Sequence, residues 1–219
     1  MTTLALEFSS DQRSVAVVRD GAVLAEKVFE GSVRTPIFAL IDAALAAAGV
    51  ERERIGALVI GIGPGSYTGV RLAISVAQGW QLGSPVLVAG VSSLVNLARV
   101  AGDPPALLAI DAQRGECAVA ACEQGRLLEE PRLVSLDTLK AQLRDGKRIL
   151  GPDVPRLLGG GEALFPKASV AAQLAAESGG FVPAETLAPV YLRAAAFLKA
   201  PPSRNLEALL PSTATPPSP

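Results

Sequence analysis

Leu4 to Phe8 is apolar around a single acid, Ser14 to Val18 is rich in valine, and Val23-Leu24 and Lys27-Val28-Phe29 follow Arg19-Asp20-Gly21-Ala22. Short β-type runs separated by an Asp-Gly turn predict a β-meander with its hairpin at Asp20-Gly21. Ile37, Leu40, Ile41, Ala44, Leu45 and Ala48 then recur at helical spacing. Thr35-Pro36 stands before them as N-cap and first-turn proline, and Gly49 sits where a C-terminal cap belongs. A buried apolar run from Leu58 to Ile62 meets Gly63-Pro64-Gly65-Ser66-Tyr67-Thr68 and gives way to a helical pattern from Gly69 to Leu82 carrying Leu72, Ala73, Val76, Ala77 and Trp80. Val86 to Ala89 predicts another strand, and Ser92 or Ser93 caps a helix through Val100.

Gly102-Asp103-Pro104-Pro105 interrupts every period and marks the expected boundary between a first domain, 1–102, and a smaller second one, 103–200. Beyond it the pattern recurs at a constant spacing of 104 residues: Ala5-Leu6-Glu7 is matched by Ala109-Ile110-Asp111, Val15-Ala16 by Val119-Ala120, and Asp20-Gly21 by Gln124-Gly125. A carboxylate near the end of a first strand, a turn, a second strand and a glycine hairpin thus occur twice, which predicts two similar domains facing across a cleft. Ser135 to Leu143 predicts a helix, Ile149-Leu150 a short strand and Val170 to Glu177 a helix between glycine breaks. Tyr191 to Lys199 predicts a last helix that can pack back on the first domain. Pro, Ser and Thr dominate 201–219, the composition of a disordered tail.

The chain has 219 residues, 49% of them hydrophobic and 19% charged, with a net charge of -1. That composition is globular, and no overall basic field argues for direct binding of nucleic acid. The start, Met1-Thr2-Thr3-Leu4, lacks the basic opening and unbroken apolar run of a signal peptide, and no apolar run reaches the roughly 20 residues of a membrane helix. A cytoplasmic protein is expected. Cys117 and Cys122 lie five apart in one apolar run, so on a single strand they face opposite sides and stay unpaired. Histidine is absent, which removes Ser-His and Cys-His nucleophile pairs and imidazole metal ligands together.

The junction at Gly63-Pro64-Gly65 reads in two ways. Amides at a glycine-rich helix start favour anions, which suggests a phosphate loop. The same glycines can serve only the packing of strand against helix. No Gly-Lys-[Ser/Thr] ending follows, so it is not a P-loop, and no acid about 20 residues on completes a dinucleotide fingerprint.

Ile60-Gly61-Ile62-Gly63-Pro64-Gly65-Ser66-Tyr67-Thr68-Gly69-Val70-Arg71 resembles the Gly-Pro-Gly-Ser-aromatic-Thr-Gly-x-Arg signature of the TsaB (YeaZ) family. Gly90-Val91-Ser92-Ser93-Leu94, Ala109-Ile110-Asp111-Ala112-Gln113-Arg114-Gly115-Glu116 and Pro189-Val190-Tyr191-Leu192-Arg193 resemble three further blocks of that family in the right order. The resemblance covers about residues 1 to 200. It implies an α/β fold of the duplicated actin, Hsp70 and sugar-kinase (ASKHA) class, and a role in threonylcarbamoylation of adenosine 37 in tRNAs that read codons beginning with A. It further implies a non-catalytic subunit that binds and activates a TsaD-like catalytic subunit, with a TsaE-like ATPase joining the assembly and tRNA met only through the complex. Alone, such a chain forms a homodimer through the same helical surface. No catalytic residue, no metal site and no membrane contact are expected, and ATP or ADP would sit only at the interface with the partner.

Two departures stand out. The family opens with Ile-Asp-Thr-Ser where this chain has Leu6-Glu7-Phe8-Ser9, a change that a kinase-type phosphate or Mg²⁺ site would tolerate badly. Its first long helix commonly opens with His-Ser-Glu where Arg34-Thr35-Pro36 stands here. For a partner surface, the helical segments nominate Ile37, Leu40, Ile41, Ala44, Tyr67, Thr68, Arg71, Ala73, Ala77 and Trp80, because small residues let helices approach closely. Arg71 is either a rim ion-pair residue or a donor to loop carbonyls. For nucleotide contact within a complex, the candidates are Gly63, Gly65, Ser66, Glu7 and Asp111. The competing class is a phosphotransferase or ATPase using the interdomain cleft, with the matched acids Glu7 and Asp111 on Mg²⁺.

Overall fold

The computed structural model describes residues 1–30 and 37–193. Its first part runs β1 (Thr2–Glu7), β2 (Gln12–Arg19), β3 (Ala22–Glu30), α1 (Ile37–Ala48), β4 (Ala57–Gly61), α2 (Tyr67–Gly83), β5 (Leu87–Val91) and α3 (Ser93–Ala101). Asp20 and Gly21 both take positive φ, 49° and 84°, so a two-residue turn joins β2 to β3. The sheet order is β3-β2-β1-β4-β5, antiparallel in the meander and parallel from β1 through β4 to β5. The parallel strands are apolar on both faces, and helices cover both.

The second part runs β6 (Ala106–Asp111), β7 (Glu116–Glu123), β8 (Arg126–Leu127), β9 (Arg132–Ser135), α4 (Leu136–Arg144), β10 (Ile149–Gly151), α5 (Val154–Leu158), β11 (Glu162–Ala163) and α6 (Ala168–Ser178), then a 3₁₀ turn, Ala184–Thr186. Its sheet order, β11-β10-β6-β7-β8 with β9 also on β7, repeats the first with shorter elements. The two units thus repeat one α/β arrangement, the duplication that the sequence spacing predicts. β6, β7 and β8 each begin 104 residues after β1, β2 and β3, as the sequence spacing requires. Pairing nevertheless differs by one residue: Glu7 lies opposite Ser14, whereas Asp111 lies opposite Cys117. A slip of one reverses every side chain on β7 relative to β2. Val15 therefore shares a core with Leu4 and Leu6, while its repeat mate Val119 packs with Leu107 and Ala109.

α1 and α2 cover one face of the first sheet, packing on Leu4, Leu6, Leu58 and Ile60. α4 and α5 cover the outer face of the second with Leu139, Val154 and Leu158. The third helix of each unit crosses over. α3 places Leu94, Leu97 and Ala98 on Leu108, Ile110 and Ala118 of the second sheet, while α6 places Ala168, Ala171, Ala172 and Ala175 on Ala5, Val59 and Ala89 of the first. Residues from the first unit also fix the start of α6. Asn96 exchanges two hydrogen bonds with the Lys167 backbone at 2.8 and 3.0 Å, Ser14 accepts from the Ala168 amide and Glu26 from that of Ser169. The break at 102 separates the two sheets, and α3 and α6 tie the two units together across it.

Thr35-Pro36, the final helix beyond residue 193 and the segment 201–219 lie outside the described residues, and Tyr191 to Arg193 is not helical. Cys117 and Cys122 sit buried and unpaired in cores on opposite faces of β7, as their spacing demands. Among the described residues no helix is long and apolar enough to cross a membrane.

Candidate functional site

The glycine loop is shaped by what lies against it. A Cβ on Gly65, at φ +142°, would collide with the carbonyl of Ser9, and one on Gly69 would collide with that of Phe8. Only glycine lets the start of α2 approach the β1–β2 connection so closely. The Ser66 amide donates to the Ser9 carbonyl at 2.7 Å, and the Ser66 hydroxyl accepts from the Gly69 amide at 3.2 Å, so Ser66 caps α2. Amides that a phosphate loop would offer at Ser66 and Gly69 are thus engaged within the chain. The loop fixes where the helix begins.

Glu7, proposed for a nucleotide site, turns away from the cleft. It is fully buried and accepts hydrogen bonds from the Ser9 amide at 2.9 Å and the Ser93 hydroxyl at 3.1 Å. Gly61 leaves the space that its carboxyl fills, and a Cβ there would overlap it. Burial raises the Glu7 pKa above its ordinary value, opposed by hydrogen bonds from Ser9 and Ser93. The methylene by which glutamate exceeds aspartate thus reaches a structural socket.

The interdomain cleft, about 300 Å³, is lined by Asp11, Ser66, Thr68, Asp111, Asp153 and Arg156 among others. Gly65, Ser66 and Asp111 of the nucleotide candidates do line it; Glu7 and Gly63 do not. Arg156 lies 2.8 Å from Asp153 and 3.6 Å from Asp111, so the cleft's guanidinium is held by two of its acids. Asp111 also accepts from the Gln113 amide at 2.8 Å. Among the described residues, no group of three Asp, Glu or Cys side chains converges as a metal site would require.

A second concavity, about 530 Å³, runs between α1 and α2 and is lined by Phe38, Leu72, Ser75, Val76, Gly79 and Trp80, with Arg52 and Glu53 at one edge. Phe38 is 60% exposed there, and the Arg52 guanidinium sits 5.4 Å from the centre of the Trp80 ring. The helical candidates divide accordingly. Ile37, Leu40, Ile41, Ala44, Ala73 and Ala77 are buried on the sheet, so they are core and not surface, because a helix laid on a sheet buries its one apolar stripe there. Trp80 lines the groove; Tyr67 and Thr68 line the cleft mouth. Ser75 and Gly79, small residues of the helix expected to allow close approach of a partner, do line the groove. Phe38 escaped the reading because it lies off the apolar stripe; a phenylalanine between stripe positions was its one sequence signal.

Among the described residues Arg71 makes neither the rim ion pair nor the bond to loop carbonyls expected of it. Its guanidinium lies 3.5 Å from the centre of the Tyr67 ring and 5.3 Å from that of Tyr191. The four sequence blocks quoted above meet here. The Ser93 amide donates to the Gly63 carbonyl, the Val190 amide to the Ile62 carbonyl, and Arg193 pairs with Glu116.

Residues 33–153 match the family described as TsaD: tRNA N6-adenosine threonylcarbamoyltransferase. The tRNA threonylcarbamoyladenosine biosynthesis protein TsaB of Escherichia coli is 33% identical, over 88% of this chain and 95% of its own. Among solved structures, YeaZ from Pseudomonas aeruginosa superposes with a TM-score of 0.71 at 27% identity, covering 87% of this chain and 99% of its own. A Pseudomonas aeruginosa protein described as similar to peptidase YEAZ gives a TM-score of 0.72 at 28% identity, over 88% and 99%.

Proposed function

Because the chain belongs to the TsaB (YeaZ) family of tRNA threonylcarbamoyladenosine biosynthesis proteins, we propose that it is the non-catalytic, activating subunit of a cytoplasmic threonylcarbamoyltransferase complex. It acts by docking a TsaD-like catalytic chain on the groove between α1 and α2. That complex places threonylcarbamoyl on N6 of adenosine 37 in tRNAs that read A-starting codons, with a TsaE-like ATPase joining it and tRNA reached through the assembly. Without the partner, a second copy of this chain occupies the same groove.

The observation that carries this reading is the groove itself: an aromatic-walled, apolar concavity along α2, with Phe38 largely exposed and small residues, Ser75 and Gly79, at its floor. Such a surface suits a packed helix from a partner. The cleft supports the non-catalytic half of the proposal, since Glu7 is committed to Ser93, and Asp111 and Asp153 to Arg156. ATP or ADP, where it takes part, belongs at the shared interface. The test is co-purification with a TsaD-like subunit, alone and with Ser75→Arg, beside an assay of ATP turnover by the isolated chain. Loss of association in a folded Ser75→Arg variant, with no turnover by the chain alone, is expected. Mg²⁺-dependent turnover by the isolated chain would overturn the non-catalytic reading, and undiminished association would overturn the docking face.

A further inference from the structure

Residues 184–193 run alongside α2 in the opposite sense. At the far end of the helix, the Ala184 amide donates to the Gln81 side chain at 2.7 Å, and the Gln78 side chain donates to the Ala184 carbonyl at 3.4 Å. Midway, Leu187 packs on the first core and beside Gly90, where a Cβ would come within 3.1 Å of it. The Val190 amide then donates to the Ile62 carbonyl at 2.8 Å, at the end of the strand that feeds the glycine loop. Tyr191 reaches Arg71 in the second turn of α2. Leu192 packs on the core of the second sheet, and Arg193 pairs with Glu116 at the start of β7. In ten residues the chain touches both ends of α2 and passes from one core to the other.

The chain has two tyrosines, and both flank Arg71. Tyr67 is 66% exposed and Tyr191 55%, so little apolar burial holds either ring, and the guanidinium is their common support. A planar guanidinium on an aromatic face is a directional contact. It therefore registers the 184–193 segment against α2 as well as attaching it.

We infer that residues 184–193 are a brace that sets the position of α2 and couples it to the second sheet through Arg193 and Glu116. Tyr191 and Arg193 are positioning residues: neither lines the groove, yet both govern how the docking helix is presented. This rests on the reading of the α1–α2 groove as the partner surface. The coupling runs from Glu116 through Arg193 and Tyr191 to Arg71, four residues on three separate stretches of chain.

The experiment uses the full chain with Arg193→Glu, Glu116→Arg, the double swap, Tyr191→Ala and Tyr191→Phe, and two readouts. Amide hydrogen exchange over Val70 to Ile74 reports the brace without any partner. Arg193→Glu and Tyr191→Ala should speed it about two- to fivefold, the effect of losing a partly exposed ionic or cation–π contact. The double swap and Tyr191→Phe should return it to the wild-type rate. Affinity for a TsaD-like subunit should fall and recover in the same pattern. Unchanged exchange in Arg193→Glu, or failure of the double swap to restore it, overturns the brace whatever the groove does. Failure of the docking reading shows separately, as wild-type affinity in Ser75→Arg.

Discussion

The Ser93 hydroxyl donates to the Glu7 carboxylate at 3.1 Å, joining the end of β1 to the first turn of α3 inside a site with no exposure to solvent. Glu7 thereby closes the seam between the first sheet and the helix that leaves it for the second.

Burial of Glu7 gives stability a particular pH dependence, against which its hydrogen bonds from Ser9 and Ser93 work. The folded pKa of Glu7 lies above the ordinary 4.5, so ionising it opposes folding. Its favourable contribution is complete below about pH 4.5 and is lost as pH rises through the raised folded value. Glu7→Gln, which can still accept from the Ser9 amide and donate to the Ser93 hydroxyl, should remove that slope. Urea unfolding at pH 4.5 and pH 8 checks this, with the variant gaining on wild type only at the higher pH.

Substitutions on α2 should separate by face. Ala77 is fully buried on the sheet, so Ala77→Arg places a charge in the core and should cost about 4 kcal/mol or more. Ser75→Arg points into the groove and should change stability by less than about 0.5 kcal/mol. Chemical denaturation of the two variants reads the difference directly.

Much of this was legible in the sequence, for local reasons. The meander, its Asp20-Gly21 turn and the 104-residue spacing follow from alternation and turn chemistry within a few residues. The one-residue slip that turns Val119 onto the other face depends on pairing, which alternation along a single strand does not encode. The stripe through Ile41 and Ala44 was plain, but its assignment to a partner ignored the sheet that needed covering. Tyr67 stands one helical turn before Arg71, but the second ring on that guanidinium gave no sign, because Tyr191 lies 120 residues further along. The destination of α6 was hidden in the same way, since its alanine face fits any close-packed neighbour.

Asn96 should prove a stability residue with no surface role. Asn96→Ala leaves both polar backbone groups of Lys167 without their partner, at a cost of about 1–3 kcal/mol. Because α6 completes the first sheet, the loss should lower one cooperative transition rather than create two. Trp80 fluorescence and far-ultraviolet dichroism, followed in the same titration, should therefore coincide.

The two cysteines should be silent toward thiol reagents in the native state. Burial, with Asp111 and Asp153 nearby, pushes the Cys117 thiol up to about 12, and burial raises that of Cys122. A thiol held protonated is a poor nucleophile. Ellman's reagent should titrate both only after denaturant is added, and prompt labelling of the folded chain would contradict the packing around β7.

The exchange of third helices bears on how the chain is made. A ribosome releases β1 to β5 long before Ala168–Ser178, so the face of the first sheet carrying Ala5, Val59 and Ala89 waits uncovered while the second sheet is synthesised. Folding of the amino-terminal half is thus gated by the last third of the message. A gene cut after the codon for Asp103 should yield an aggregating fragment instead of a domain.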